Sequence, residues 1–113
     1  TRVLGRRRAL DLMFSARWLS ADEAQEWGLV NYVVDDEELI GAVNAYAAKL
    51  AGHSATGLAT IKRMSDEGLD LTLPNGLELE IELAAQALRA ADADEGLDAF
   101  QARRVPQFSP RTP

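Results

Sequence analysis

Residues 15–34 constrain the fold of this chain more than any other segment. Ser20 is a good helix N-cap, and Glu23 lies three residues later, where its side chain can reach back to the Ser20 backbone N–H and complete a capping box. Gly28 supplies the left-handed residue that ends a helix of about two turns. Residues 29–34 are apolar or aromatic except for one asparagine, and three of them are the β-branched residue valine, which predicts a short, largely buried strand. A short helix, a glycine stop and a strand are therefore expected in succession.

The rest of the chain has the apolar spacing of amphipathic helices. Ser54 and Asp92 are each placed to cap a helix, and Glu95 is the capping-box partner of Asp92. Pro106 is expected to stop the last helix, and residues 108–113 form a proline-rich tail. The predicted helices, in addition to the one at 21–27, cover residues 6–14, 36–51, 55–67, 72–91 and 93–104.

Residues 77–83 alternate leucine or isoleucine with glutamate, which is a strand pattern. The residue types are nevertheless good helix formers, and an alanine-rich stretch follows. Thr72 followed by Pro74 is a typical helix start. The pattern therefore favours a helix. Its two apolar stripes predict that the helix is covered on more than one side.

Composition and charge restrict the class of protein. The chain has 113 residues, of which 47% are hydrophobic, and this argues against disorder. The net charge of −6 disfavours nonspecific binding to nucleic acid. No apolar run reaches the roughly 18 residues of a membrane span. No membrane partner is therefore expected. The sequence also has no cysteine and no signal-peptide pattern, so no disulfides are expected and the expected location is cytoplasmic.

Few residues are candidates for chemistry. His53 is the only histidine, and without a second histidine or a cysteine a metal site is not expected. A surface or capping role is the preferred interpretation of His53. The glutamates at 78, 80 and 82 are interpreted as a solvated helix face rather than an acid–base pair.

Two other groups of residues leave alternatives open. Residues 6–8 are three consecutive arginines, which indicate either a solvated helix start or a contact with an anion or a subunit. Trp18 and Trp27 are interpreted as packing residues of a core or an interface rather than as a platform for a ligand.

Three parts of the sequence resemble the enoyl-CoA hydratase/isomerase (crotonase) superfamily. The run at 15–34 resembles that superfamily's pattern of Ser-Ala pairs, a Glu-Ala pair, Gly-Leu-Val and a final Val-Val at matching spacing. Residues 1–5 resemble its short lead-in. The superfamily's C-terminal pattern is matched by Asp94, Glu95, Gly96, Ala99, Phe100, Arg103, Arg104, Pro106 and Phe108. The matches occur in the expected order, so the resemblance covers essentially the whole chain.

The resemblance implies an α/β parent protein with a crotonase-like fold. This chain would be its mostly α-helical C-terminal part, with one short strand. Residues 1–35 would end the crotonase core, with a helix, a capped turn and the strand, and residues 36–113 would form a helical oligomerisation region. The chain begins at Thr1 and its first methionine is Met13, so a missing N-terminal portion is expected in a protein more than twice as long. A homo-oligomer, either a trimer or a hexamer made of two trimers, is also implied.

The implied activity is that of a lyase or isomerase of fatty acid metabolism that acts on acyl-CoA thioesters through a stabilised enolate. Other reactions of the superfamily (decarboxylation, dehalogenation and ring closure) are alternatives, as is a non-catalytic helical assembly module. The superfamily's catalytic groups belong to the segment upstream of Thr1, so no catalytic residue is expected here and the chain alone is expected to be inactive. No separate cofactor is expected because coenzyme A is part of the substrate.

One ligand contact carries over from the resemblance. The superfamily's last helix presents an aromatic residue and, three positions later, a cation to the adenine and phosphate end of coenzyme A, and these positions hold Phe100 and Arg103 here. Residues three apart share a helix face. The superfamily more often has lysine at the second position, and Arg104 is the less favoured alternative to Arg103. In the competing interpretation Phe100 is a core residue and Arg103 interacts with the helix C-terminus.

Overall fold

The chain is helical in the structure, a computed structural model that describes residues 1–108. The predicted tail lies largely outside the described residues. Contacts divide the chain into two compact units, Thr1–Val43 and Asn44–Pro113, and the division falls inside the third helix. The six helices of the described part are α1 Gly5–Ser15, α2 Ala21–Glu26, α3 Leu39–Ala51, α4 Ala55–Gly68, α5 Leu73–Ala87 and α6 Ala91–Gln101.

The capped helix of the first unit forms as predicted. The Ser20 hydroxyl accepts a hydrogen bond from the Glu23 backbone N–H at 3.1 Å, which starts α2. Gly28 has a φ of +77°, and the Leu29 N–H donates to the Ala24 carbonyl at 2.8 Å, so α2 ends in a Schellman motif. The reciprocal half of the predicted capping box is replaced, because both carboxylate oxygens of Glu23 accept from a neighbouring arginine.

The strand predicted at residues 29–34 is not formed. Within residues 1–108 the backbone has no strand, and residues 29–34 are irregular. A strand is stabilised by hydrogen bonds to a neighbouring strand, and the described part of the chain provides no strand to pair with. The residue types alone therefore gave the wrong local structure for this chain.

Four helix boundaries differ from the prediction by more than one residue, and one of them is the end of α6, which lies at Gln101 rather than at residue 104. Residues 35–38 form a turn, with the Glu38 N–H donating to the Asp35 carbonyl at 2.9 Å, so α3 begins at Leu39 rather than at residue 36. The predicted long helix 72–91 ends earlier, at Ala87, and α6 begins at Ala91 instead of residue 93.

The start of α6 is also organised differently from the prediction. Ala90, not Asp92, is the N-cap of α6, and it provides no side-chain bond. The Asp92 carboxylate instead accepts the Ser54 hydroxyl at 2.5 Å. Ser54 keeps its own predicted role, because its Oγ accepts from the Gly57 N–H at 2.9 Å at the start of α4. One serine therefore caps α4 and bonds to the first turn of α6.

Helices α4 and α5 pack against each other as a hairpin. The connection between them is short, and residues near the start of α4 line a shallow cavity of about 180 Å³ together with Leu83 and Gln86 near the end of α5, as expected for antiparallel helices. Leu83, only 3% exposed, is the buried side chain of this contact. The other apolar stripe of α5 stays open, because Ile81 and Leu88 are exposed.

The described part of the chain has a very small core. Only Ala9, Leu83 and Ala99 are buried hydrophobic residues among those described. Trp18 is 96% exposed, so within this chain it is not the core residue that one interpretation of the sequence offered. No helix within residues 1–108 combines the length and the apolar character that crossing a membrane requires.

Candidate functional site

The candidate ligand contact lies where α6 ends. The helix stops at Gln101, and Arg103, at the C′ position, has a left-handed φ of +51°. The Arg104 N–H donates to the Ala99 carbonyl at 3.0 Å, and the Arg103 N–H donates to the Phe100 carbonyl at 3.2 Å. This pair of bonds is a Schellman motif with an arginine where glycine is usual.

The structure brings Phe100 and Arg103 together in a different way from the one expected. A shared helix face was expected, but Arg103 lies beyond the helix and its direction is set by the left-handed turn. The two residues are instead joined through the backbone bond of that turn. The ring of Phe100 is 82% exposed, so Phe100 is not a core residue within this chain.

Arg104 differs from Arg103 in its partners. The two terminal nitrogens of Arg104 donate to the two carboxylate oxygens of Glu95, at 2.6 and 2.8 Å, in a fork. The Arg103 guanidinium has no hydrogen bond or ion pair with any of residues 1–108. Of the two neighbouring arginines, Arg103 is therefore the one whose donors are available to a ligand.

Glu95 also holds the segment that follows α6. Its Oε1 accepts from the backbone N–H of Gln107 at 2.5 Å, in addition to the bond from Arg104. The Arg104 guanidinium and the Gln107 N–H together lower the pKa of Glu95 from its ordinary value of 4.5 to about 2. Beyond Gln107, the ring of Phe108 lies beside Gly96, where an added Cβ would be 4.0 Å from it. Residues 104–108 thus fold back along α6.

The sequence predicted a different role for Glu95, as the capping-box partner at the start of α6. In the structure Glu95 bonds instead to Arg104 and Gln107, in the segment after the end of the helix. The signal in the sequence is a glutamate and an arginine nine positions apart, on either side of a helix end. Residues nine positions apart do not lie on the same face of a helix. Glu95 and Arg104 come into contact only because the chain turns back along α6.

A second cluster lies in the first unit, around Trp27. The guanidinium carbons of Arg8 and Arg17 lie 4.9 and 5.1 Å from the centre of its ring. Arg17 also forms a fork with Glu23 at 2.7 and 2.9 Å and lies 3.5 Å from Asp11. Trp27 is half-buried between two arginines and is not part of the buried core of residues 1–108, and its role at an interface stays a prediction.

The three consecutive arginines at 6–8 line an open cavity of about 710 Å³ beside Trp27. They begin a helix whose first turn contains no acidic residue and whose N-cap, Leu4, provides no side-chain bond. Nothing in this geometry distinguishes a solvated helix start from a contact with an anion, so both interpretations stay predictions.

The remaining candidates do not form a site. His53 is exposed. Among the described residues no group of three or more histidines, cysteines or carboxylates is placed to hold a metal ion. Glu78, Glu80 and Glu82 are exposed along α5, as predicted for a solvated face. The expectation that the catalytic groups lie outside this chain stays a prediction.

Comparison with known proteins places these features in a family. Residues 1–111 match the sequence profile described as enoyl-CoA hydratase/isomerase. The chain is 42% identical over 108 residues to the 1,2-epoxyphenylacetyl-CoA isomerase of Escherichia coli K12, covering 96% of this chain and 41% of that protein. It is 33% identical over 111 residues to a probable enoyl-CoA hydratase of Mycobacterium bovis, covering 98% of this chain and 43% of the relative.

Solved structures give a similar result. The crystal structure of an enoyl-CoA hydratase from Bacillus anthracis superposes with a TM-score of 0.91 at 32% identity, over 95% of this chain and 42% of that one. An enoyl-CoA hydratase subunit from Geobacillus kaustophilus superposes with a TM-score of 0.93 at 31% identity, over 98% and 43%. The chain thus spans about two-fifths of the length of the proteins it resembles.

Proposed function

The chain belongs to the enoyl-CoA hydratase/isomerase family, and we propose that it is the C-terminal portion of an enzyme that hydrates or isomerises the double bond of acyl-CoA thioesters. The observation that carries the proposal is the match of residues 1–111 to the family, within relatives more than twice as long. In this proposal the parent has the α/β crotonase-like fold, and residues 29–34 become a strand only when paired with the upstream portion.

The proposed chemistry lies outside this chain. Two backbone N–H groups of the upstream portion polarise the thioester carbonyl and stabilise the enolate that develops, which is a large contribution in reactions of this kind. One or two carboxylates of the same portion move a proton or activate water. Coenzyme A is part of the substrate, and the proposed reaction uses no separate cofactor. A cytoplasmic location stays a prediction from the sequence.

The proposed contribution of this chain is to bind the far end of coenzyme A. The exposed ring of Phe100 can pack against the adenine, and the Arg103 guanidinium, which has no partner within residues 1–108, can bond to the 3′-phosphate. Arg104 is less suited to this role because its fork already binds Glu95.

The test of this contact is Arg103→Ala in the full-length protein. Loss of a charge-assisted bond costs about 1.5–3 kcal/mol, or roughly 10- to 150-fold in affinity. We expect that loss for coenzyme A and little change for 3′-dephospho-coenzyme A, measured by competition against crotonyl-CoA hydration. An equal loss for both ligands contradicts the phosphate contact.

A second candidate reaction is isomerisation of an epoxide carried on an aromatic acyl-CoA. It is favoured by the 42% identity to the 1,2-epoxyphenylacetyl-CoA isomerase, which exceeds the identity to the probable hydratases of Mycobacterium bovis and Rhizobium meliloti. Assaying the full-length protein with crotonyl-CoA and with 1,2-epoxyphenylacetyl-CoA distinguishes the two reactions. Activity with neither thioester favours a different reaction of the family or a non-catalytic assembly module.

We further propose that the full-length protein is a homo-oligomer, a trimer or a hexamer, and that residues 36–113 supply its interface. The exposed apolar residues of α3 and α5, such as Ile40 and Ile81, support this role. Light scattering of the full-length protein tests it, and a monomer contradicts it.

A further inference from the structure

We propose that Glu95 is a positioning residue for Arg103: its carboxylate anchors the segment after α6, and so holds the Arg103 guanidinium where it can bind a phosphate group of coenzyme A. The inference rests on the proposed function, because that function supplies the ligand of Arg103. Glu95 itself touches no ligand in this proposal.

Glu95 accepts three hydrogen bonds from the segment that follows α6. Its Oε1 accepts from an Arg104 terminal nitrogen and from the Gln107 backbone N–H, and its Oε2 accepts from the other terminal nitrogen of Arg104. Glu95 is only partly exposed and lies in the second turn of α6. The Glu95 carboxylate therefore holds residues 104–107, which follow the left-handed turn, against α6.

The backbone of Arg103 adopts an unfavourable left-handed conformation that its neighbours hold in place. A φ of +51° is a conformation that side chains with a Cβ avoid, and it persists only where the surrounding structure imposes it. On one side Arg103 is held by its own N–H bond to the Phe100 carbonyl. On the other side the next residue is Arg104, whose guanidinium is held by Glu95. The fork thus helps to impose the left-handed turn that directs Arg103.

Glu95 also determines which of the two adjacent arginines, Arg103 or Arg104, is available to a phosphate group. An arginine in a fork with a carboxylate has its charge partly neutralised and its best donors occupied. Glu95 does this to Arg104 and leaves Arg103 unpaired among the described residues. The carboxylate thereby selects which cation is available to an incoming phosphate.

The arrangement is insensitive to pH in the physiological range. Because the pKa of Glu95 is lowered to about 2, the carboxylate stays ionised at every pH at which acyl-CoA thioesters are assayed. The bonds that Glu95 accepts from Arg104 and Gln107 are therefore not expected to change with pH in the physiological range.

A double-mutant cycle in the full-length protein tests the inference. The affinities of coenzyme A and 3′-dephospho-coenzyme A are measured by competition for wild type, Glu95→Gln, Arg103→Ala and the double variant. We expect Glu95→Gln to lower the affinity for coenzyme A by about 5-fold or more, with little effect on the affinity for 3′-dephospho-coenzyme A. In the Arg103→Ala background, Glu95→Gln should cause no further loss of affinity. Glu82→Gln is the matched control, since Glu82 is exposed on α5 and accepts only from Gln86, and it should change neither affinity.

The outcomes separate the inference from the proposed function. Equal losses for both ligands in Glu95→Gln, or additive losses in the double variant, overturn the positioning role. If Arg103→Ala itself has no phosphate-specific effect, the proposed coenzyme A contact fails instead.

A second variant keeps the inference testable if Glu95→Gln does not fold. Arg104→Lys keeps the charge beside Glu95 and loses the fork. Arg104→Lys should lower the affinity for coenzyme A by less than Glu95→Gln does, and should leave the affinity for 3′-dephospho-coenzyme A unchanged. The loss should be absent when Arg103 is alanine. A loss that persists in the Arg103→Ala background contradicts the inference.

Discussion

Left-handed residues end three of the helices, and only one of these residues is a glycine. Gly28 follows α2 with a φ of +77°, whereas Ala16 after α1 and Arg103 after α6 both have a φ of +51°. After α2 and α6 the left-handed residue lets backbone N–H groups reach carbonyls of the last turn, whereas after α1 the Ala16 N–H makes an ordinary helix bond to the Leu12 carbonyl at 3.0 Å. A side chain with a Cβ makes this conformation less favourable by about 1–2 kcal/mol.

Ala16→Gly should therefore stabilise the protein, by about 1 kcal/mol, because glycine adopts the left-handed conformation without the steric cost. Gly28→Ala is the matched opposite change. A Cβ at Gly28 meets no atom within 4 Å, so its cost is a backbone cost alone, and we expect a loss of about 1–2 kcal/mol. Urea unfolding of both variants at one protein concentration is the measurement, and a destabilising Ala16→Gly contradicts the interpretation.

The pH dependence of stability should reveal the bonds of Glu95. Its pKa is lowered in the folded protein, so its stabilising contribution is complete above the ordinary value of 4.5 and is lost as the pH falls towards about 2. We expect the stability difference between wild type and Glu95→Gln to shrink across that interval. Urea midpoints at a series of pH values measure it, and a difference that stays constant down to pH 2 would show that the carboxylate charge is not involved.

At the scale of helices, Ser54 combines two functions. Its oxygen caps α4, and its hydroxyl proton bonds to Asp92 at the start of α6. Ser20 is a matched comparison, because it caps α2 with a bond of similar length and has no side-chain partner distant in sequence among residues 1–108.

Ser54→Ala should be more destabilising than Ser20→Ala. Loss of a serine cap costs about 1 kcal/mol in both variants, and Ser54→Ala in addition leaves the Asp92 carboxylate without its hydroxyl donor. The excess destabilisation should disappear when the two variants are compared in an Asp92→Ala background, which has no side-chain acceptor for the Ser54 hydroxyl. Equal effects in the wild-type background would mean that the Ser54–Asp92 bond contributes nothing to stability.

The same helices show what the sequence can and cannot predict. The start of α2 at Ser20, its stop at Gly28 and the cap of α4 at Ser54 are set by neighbouring residues, and each was predicted correctly. The strand at 29–34 was wrong because a strand needs a pairing partner, which residue types do not reveal. The candidate site was predicted only as the positions Phe100 and Arg103, from a resemblance. The left-handed turn and the role of Glu95 depend on the return of residues 104–108 along α6, which no local pattern encodes.

For the whole molecule, the balance of buried and exposed apolar surface is the main physical constraint. The buried hydrophobic residues of the described part are two alanines and one leucine. Large apolar side chains are exposed in both units, including Phe14, Trp18, Ile40, Ile81 and Leu88. Exposed apolar area beyond a few hundred Å² marks an interaction surface or leads to aggregation. The chain therefore needs further cover, from the upstream portion of the proposed parent or from other copies of itself.

The central claim is that these 113 residues are an incomplete unit of a family of acyl-CoA enzymes, and sedimentation equilibrium of the isolated chain tests it most directly. We predict an average mass that rises with protein concentration as exposed apolar faces associate. A chain that stays monomeric at tens of micromolar and unfolds cooperatively would contradict the claim.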